Sequence, residues 1–160
     1  MTTIERFVAV DIPSFQWPSD LRIPSKYFRL FVAGDATDVT TEQLSRFAEE
    51  SLKRGMVYCC TWGPGCERVH DIMDEVLVVS ETKAHPLFTP ITQDDTVMTT
   101  WHDDETLEDA VEFFIWSSCP AQSYIDESNL WLAFSIANPA WTVSIREHFK
   151  KLTKSSKEPL

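Results

Sequence analysis

Cys66 and His70 stand four residues apart just after Gly63-Pro64-Gly65, and a second polar segment reads His102-Asp103-Asp104-Glu105. A cysteine in the first turn of a helix faces free backbone N–H groups and the positive end of the helix dipole, which lower its thiol pKa and make it reactive. A histidine one turn further on shares its helical face. The pair therefore reads as nucleophile and base, with His102 as the alternative base and Asp103 or Asp71 orienting the imidazole. Such a set would serve a small thiol- and histidine-dependent hydrolase or transferase. Each member also has a plainer role. Cysteine is among the most often buried residues and acts as a small apolar filler, and a histidine at a helix flank is usually satisfied by its neighbours. Asp103 or Asp104 suits the N-cap of a following helix. His102, directly after a strand and outside the cap, is the least easily explained by packing.

Cys60, Cys66, His70 and His102 could hold zinc if the two segments were neighbours, since zinc accepts Cys and His in tetrahedral geometry. The spacing of Cys60 and Cys66 matches no common zinc knuckle, there is no C-x-x-C pair, and the adjacent Cys59 and Cys60 of one strand point to opposite faces. A zinc-binding domain is thus an alternative, with no metal ligand set assigned. The chain lacks G-x-G-x-x-G and G-x-x-x-x-G-K-[ST], so the usual backbone cradles for dinucleotides and triphosphates are missing and no cofactor is expected. Trp62, Gly65, Arg68, Asp71, Trp101 and Asp35 are the candidate ligand contacts. The Trp rings could line a pocket, and the N–H groups at Gly65 and Cys66 could hold an anion, although the surrounding acids make an uncharged or cationic ligand easier to place.

The elements that must position these residues follow from the hydrophobic pattern. Arg6 to Val10, Tyr27 to Ala33, Met56 to Thr61, Val76 to Ser80, Thr96 to Trp101 and Leu130 to Ala137 read as strands. Asp11 to Lys26, with Pro13, Pro18 and Pro24, reads as an extended surface wrap. Leu44, Phe47, Ala48 and Leu52 mark a helix opened by a Thr40/Gln43 capping box and stopped at Gly55. Val69, Ile72, Met73 and Val76 mark a second, Asp104 to Ser118 a third, and Trp141, Ile145, Phe149 and Leu152 a fourth that starts at Asn138-Pro139. Phe113 and Trp116 lie off the apolar stripe of the third helix and suggest a contact surface. Thr82 to Asp95 reads as a long loop.

Strands alternating with helices predict a three-layer αβα sandwich with a mainly parallel sheet of about five to six strands, flavodoxin-like or Rossmann-like. In such sheets ligands sit beyond the carboxyl ends of the strands, where Trp62 to Asp71 and Trp101 to Glu105 fall; Gly34-Asp35 and Asn138 mark two further exits that read as a plain turn and cap. Strand order is not readable from the sequence.

At 160 residues, 43% hydrophobic, the chain is expected to form one α/β domain over 1–152 with a frayed tail over 153–160. No stretch resembles a signal peptide or a membrane span, so a cytoplasmic protein with no membrane partner and four reduced thiols is expected. A formal charge of -11 opposes phosphate backbones and argues against nucleic acid. The same charge favours a basic protein partner. The first expectation is therefore a non-catalytic binding or regulatory module that engages a protein partner or a small-molecule ligand at the carboxyl-end edge of the sheet, its oligomeric state left open.

Overall fold

The runs Phe28–Ala33 and Leu130–Ile136 are buried at every position, as strands covered on both faces must be. They form the centre of the sheet. The computed structural model describes residues 6–81 and 95–155. In chain order the elements are β1 (Arg6–Ile12), β2 (Phe28–Ala33), α1 (Thr41–Lys53), β3 (Met56–Trp62), α2 (Cys66–Glu81), β4 (Met98–His102), α3 (Leu107–Ser117), a 3-10 turn (Gln122–Glu127), β5 (Leu130–Ile136) and α4 (Pro139–Ser155). The five strands are all parallel, in the order β1-β5-β2-β3-β4, with β1 and β4 at the edges.

Alternation along each strand sorts the core into two clusters. Leu30, Val32, Cys59, Leu132 and Phe134 point to one face, where they meet Leu44, Phe47 and Leu52 of α1 and Ile72, Met73 and Leu77 of α2. Phe31, Tyr58, Cys60 and Ala133 point to the other, against Val111 and Phe114 of α3 and Ile145 and Phe149 of α4. This is a three-layer α/β fold of the expected class. The wrap between β1 and β2 sends Phe15 and Trp17 into the first cluster, where the Trp17 ring packs edge-on to Phe134 at 4.7 Å and its Nε1 donates to Ser51 Oγ at 2.8 Å. It occupies the place of a crossover helix. On the second face the buried Arg29 lies over the Trp131 ring at 4.1 Å and donates to the Ser118 and Ser128 carbonyls. Ser118 is the C-cap of α3, where a cation is favoured, and Ser128 follows the 3-10 turn.

Local signals fixed the ends of α1 and α4 as expected. Thr40 and Gln43 form the reciprocal capping box, Gly55 follows at φ 102°, and Pro139 opens α4 with Asn138 Oδ1 accepting from the Trp141 N–H at 3.3 Å. Three expectations are corrected. Val76 to Ser80 is the last part of α2, not a strand, because Val69, Ile72, Met73 and Leu77 keep a helical stripe in contact with the sheet. The third helix begins at Leu107, capped by Thr106, whose side chain accepts from the Asp109 N–H; Asp103 and Asp104 precede it as exposed turn residues. The fourth helix runs on to Ser155, so residues 153–155 are helical, while 156–160 lie outside the described residues. The long loop expected from Thr82 lies, up to residue 94, outside them as well. Among the described residues no helix is long and apolar enough to cross a membrane.

Candidate functional site

The β3 exit is built by glycine. Gly63 has φ 110° and Gly65 φ 77°, both in the left-handed region that glycine alone enters at no steric cost. A Cβ on Gly63 would stand 2.2 Å from the Gly34 carbonyl oxygen, so the turn into α2 presses directly on the exit of β2. Cys66 then opens α2 but is 2% exposed. Burial pushes its thiol pKa up, with the Asp103 carboxylate adding to the rise against hydrogen bonds from the His102 and Glu67 backbone N–H groups. The lowered pKa expected from helix position alone is therefore reversed. Thr61 Oγ1 holds the Cys66 carbonyl at 2.9 Å.

The two histidines are not companions. Trp101 and His102 are successive residues of β4 and point to opposite sides of the sheet. His70 packs its ring on Trp101 at 4.5 Å, with Nδ1 3.0 Å from Asp71 and Nε2 3.5 Å from Asp74, and Asp74 also accepts from Thr99 Oγ1. His102 lies on the far side, 4% exposed, its ring 4.7 Å from Phe113, with Nδ1 3.0 Å from both Glu105 oxygens and Nε2 3.0 Å from Thr100 Oγ1. Among the described residues no hydrogen bond joins the Cys66 thiol to either imidazole, and Cys60, Cys66, His70 and His102 form no group that could hold a metal ion. Both histidines instead tie edge strand β4 to the helices beside it.

The other candidates scatter likewise. Arg68 donates to the Ala36 carbonyl at 3.0 Å and to Thr41 Oγ1 at 3.2 Å, pinning α2 to the loop before α1 and to the first residue of α1. Trp62 donates from Nε1 to the Glu105 carbonyl and meets Trp141 edge-on at 5.1 Å. Asp71 and Asp103 are exposed, and Trp101 is half-exposed on the outer edge. Phe113 is drawn against His102, while Trp116 alone of the off-stripe pair is well exposed.

Strand order puts the open crevice elsewhere. From β2 the chain leaves through α1 on one face toward β3, whereas from β5 it leaves through α4 on the opposite face. Exit loops that diverge in this way open a gap between adjacent strands, the topological switch point. A cleft of about 500 Å3 lies there, lined by Pro13, Phe15, Asp35, Gln43, Asn138 and Trp141 among others. Asp35 Oδ1 accepts from the Thr37 N–H at 2.9 Å and from Thr37 Oγ1 at 2.5 Å, and these bonds hold its carboxyl below the usual carboxylate range. Ala137, on the opposite wall, has φ 53° and is the described non-glycine residue with positive φ. A second cavity of about 480 Å3 continues along α1 and shares Ser14, Phe15 and Gln43 with the cleft.

A sequence family described as a domain of unknown function (DUF7684) matches residues 9–152, from within β1 to near the end of α4. The chain belongs to that family. No curated protein and no solved structure matches it. In this DUF7684 chain Asp35 is the one sequence-selected contact that enters the cleft. Phe15, Gln43 and Trp141 were hidden as wrap, cap and core residues, and Asn138 as a cap; only the pairing of β2 with β5 brings them together.

Proposed function

We propose that this chain is a non-catalytic binding module that takes an uncharged or cationic small molecule in the cleft between the carboxyl ends of β2 and β5. The observation that carries the reading is the coincidence of a cleft of about 500 Å3 at the strand exits with the point where the chain reverses direction across the sheet. Its chemistry supports the ligand class. Among the described residues no Lys, Arg or His lines the cleft, one ionised carboxylate does, and the Phe15 and Trp141 rings offer flat apolar surface. The amides of Gln43 and Asn138 add polar contacts for orientation. Among the described lining residues there is no thiol or imidazole to act as nucleophile or base, which favours binding over catalysis. Four free cysteines, three of them buried, suit a reducing cytosol.

The test is a thermal-shift panel of nucleosides, neutral sugars and small organic amines, followed by calorimetry on any hit. A ligand at a hundred times its Kd stabilises by about 2.7 kcal/mol, which for a chain of this size raises Tm by roughly 5–10 °C. Trp141→Ala and Asp35→Asn should each remove most of that shift. A panel that leaves Tm unmoved, or a hit whose affinity survives both substitutions, would refute the reading.

A further inference from the structure

The helix pair α1 and α2 carries a separate feature. Between them opens a groove of about 260 Å3 lined by Ser45, Glu49, Glu75, Val76 and Val79, which shares no residue with the cleft at β2 and β5. Its floor is apolar and Val79 is 51% exposed, with the neighbouring Val78 exposed as well. Its rims carry one carboxylate from each helix.

Those carboxylates are not matched from within. Among the described residues neither Glu49 nor Glu75 makes an ion pair. Every basic side chain of the two helices and their joint is committed elsewhere: Arg46 to Glu42, Lys53 and Arg54 to Glu50, Arg68 to the loop before α1. The last turn of α2 holds no basic residue, although cations there would interact well with the helix dipole, and ends on Glu81. The groove therefore combines exposed apolar area with carboxylates that, among the described residues, have no ion-pair partner.

We infer that this groove docks a basic segment of a protein partner, with one lysine or arginine side chain seated in it. The methylene stem of such a side chain would lie along Val76 and Val79 while its cationic head sits between Glu49 and Glu75. A buried stem with a paired head distinguishes this site from diffuse attraction to an acidic surface, which needs no apolar floor.

The experiment uses the full chain and three labelled synthetic peptides: one alternating arginine with leucine, one alternating glutamate with leucine, and an oligolysine. Fluorescence anisotropy should show binding of the arginine–leucine peptide and of oligolysine, and none of the glutamate peptide. The double variant Glu49→Gln/Glu75→Gln should weaken the first by roughly tenfold, and Val79→Ser by roughly threefold. Glu108→Gln/Glu112→Gln removes the same charge from exposed positions of α3 on the opposite layer and should change binding less than twofold. All five positions are at the surface or at a helix–helix rim, and circular dichroism melts check that each variant folds. The proposal is overturned if neither basic peptide binds, if the glutamate–leucine peptide binds as well, or if the α3 control weakens binding as much as the groove variant. Self-association in sedimentation that Glu49→Gln/Glu75→Gln abolishes would assign the groove to a second copy of the chain and overturn it too.

Discussion

The exits of β3 and β4 and the exits of β2 and β5 lie side by side on one end of the sheet, yet they use their residues in opposite ways. At β3 and β4 the thiol and the imidazoles are spent on neighbours: Cys66 on the core, His70 on Asp71, Asp74 and Trp101, His102 on Glu105, Thr100 and Phe113. At β2 and β5 the residues are unremarkable by type, but the diverging chain leaves a cleft between them. Reactive side chains mark a site only where they are not already satisfied. Here topology opens the space, and the chemically richer exits brace it.

The bracing is most severely tested at Gly63, where the two regions touch. An alanine there would need a positive φ and would drive its Cβ into the Gly34 carbonyl, a backbone atom that cannot move aside without shifting β2. Gly63→Ala should cost about 3–4 kcal/mol, a large part of an ordinary domain's stability. Urea unfolding measures it directly. A variant as stable as the parent would mean that the β3 turn does not support the β2 exit, and the division of roles drawn above would collapse.

His102 and His70 separate bracing from function more finely. His102→Ala leaves Glu105 and Thr100 without their shared partner and opens a void beside Phe113, for an expected loss of about 2–3 kcal/mol. His70→Ala, against more exposed partners, should lose about 1 kcal/mol or less. Neither should alter the affinity of a cleft ligand by more than about twofold, as expected for sites with no shared partners. Calorimetry showing that His102→Ala keeps its stability and loses the ligand would move the site to the outer exits.

The same contrast explains what could be read from the chain alone. The α1 helix was legible because its capping box, apolar stripe and terminal glycine are all local, and so was the start of α4 at Asn138-Pro139. The position of Cys66 at the start of α2 was legible too, but its burial was not, since it depends on β4 and the turn that follows it. Val76 to Ser80 misled because a β-branched run fits a buried helix as well as a strand, and only packing on the sheet decides. Asp103, Asp104 and Thr106 can each cap a helix; where α3 settles on Val111 and Phe114 selects the last. The cleft was out of reach because the pairing of β2 with β5 joins segments about a hundred residues apart, and no local pattern encodes it.

Thiol chemistry sharpens the comparison at the next scale. Burial raises the pKa of Cys59 well above its usual value, that of Cys60 to about 12, and that of Cys66. Each folded-state pKa exceeds its unfolded value, so the stability these groups contribute is complete below the unfolded thiol pKa and is lost as pH rises from there toward the folded values. In the unfolded chain the thiols release protons first, giving a slope of about -1.4 kcal/mol per group per pH unit above roughly pH 8.5. Tyr58, raised to about 12, joins in above its unfolded pKa of about 10. Urea midpoints measured from pH 8 to 10 should therefore fall, and iodoacetamide at neutral pH should modify the exposed Cys119 well before the other three. Rapid labelling of Cys66 in the native protein would restore it as a nucleophile and reverse the roles of the two regions.

The smallest effect lies in the wall of the cleft itself. Ala137 is held at φ 53° between the β5 ladder, where its N–H donates to the Ile12 carbonyl at 2.9 Å, and Asn138, which must stand outside α4 to cap it. A non-glycine residue in this region costs about 1–2 kcal/mol, and glycine returns part of the gain through the freedom it adds to the unfolded chain. Ala137→Gly should accordingly raise stability by only about 0.5 kcal/mol, read as a small upward shift in urea midpoint. Its effect on the cleft should run the other way. If the left-handed turn is kept to aim Asn138 and Trp141 at a ligand, loosening it weakens binding while the fold gains, the opposite of the paired losses expected at Gly63. Gains in both, or losses in both, would show that the wall at β5 serves the fold alone, as the exits of β3 and β4 do.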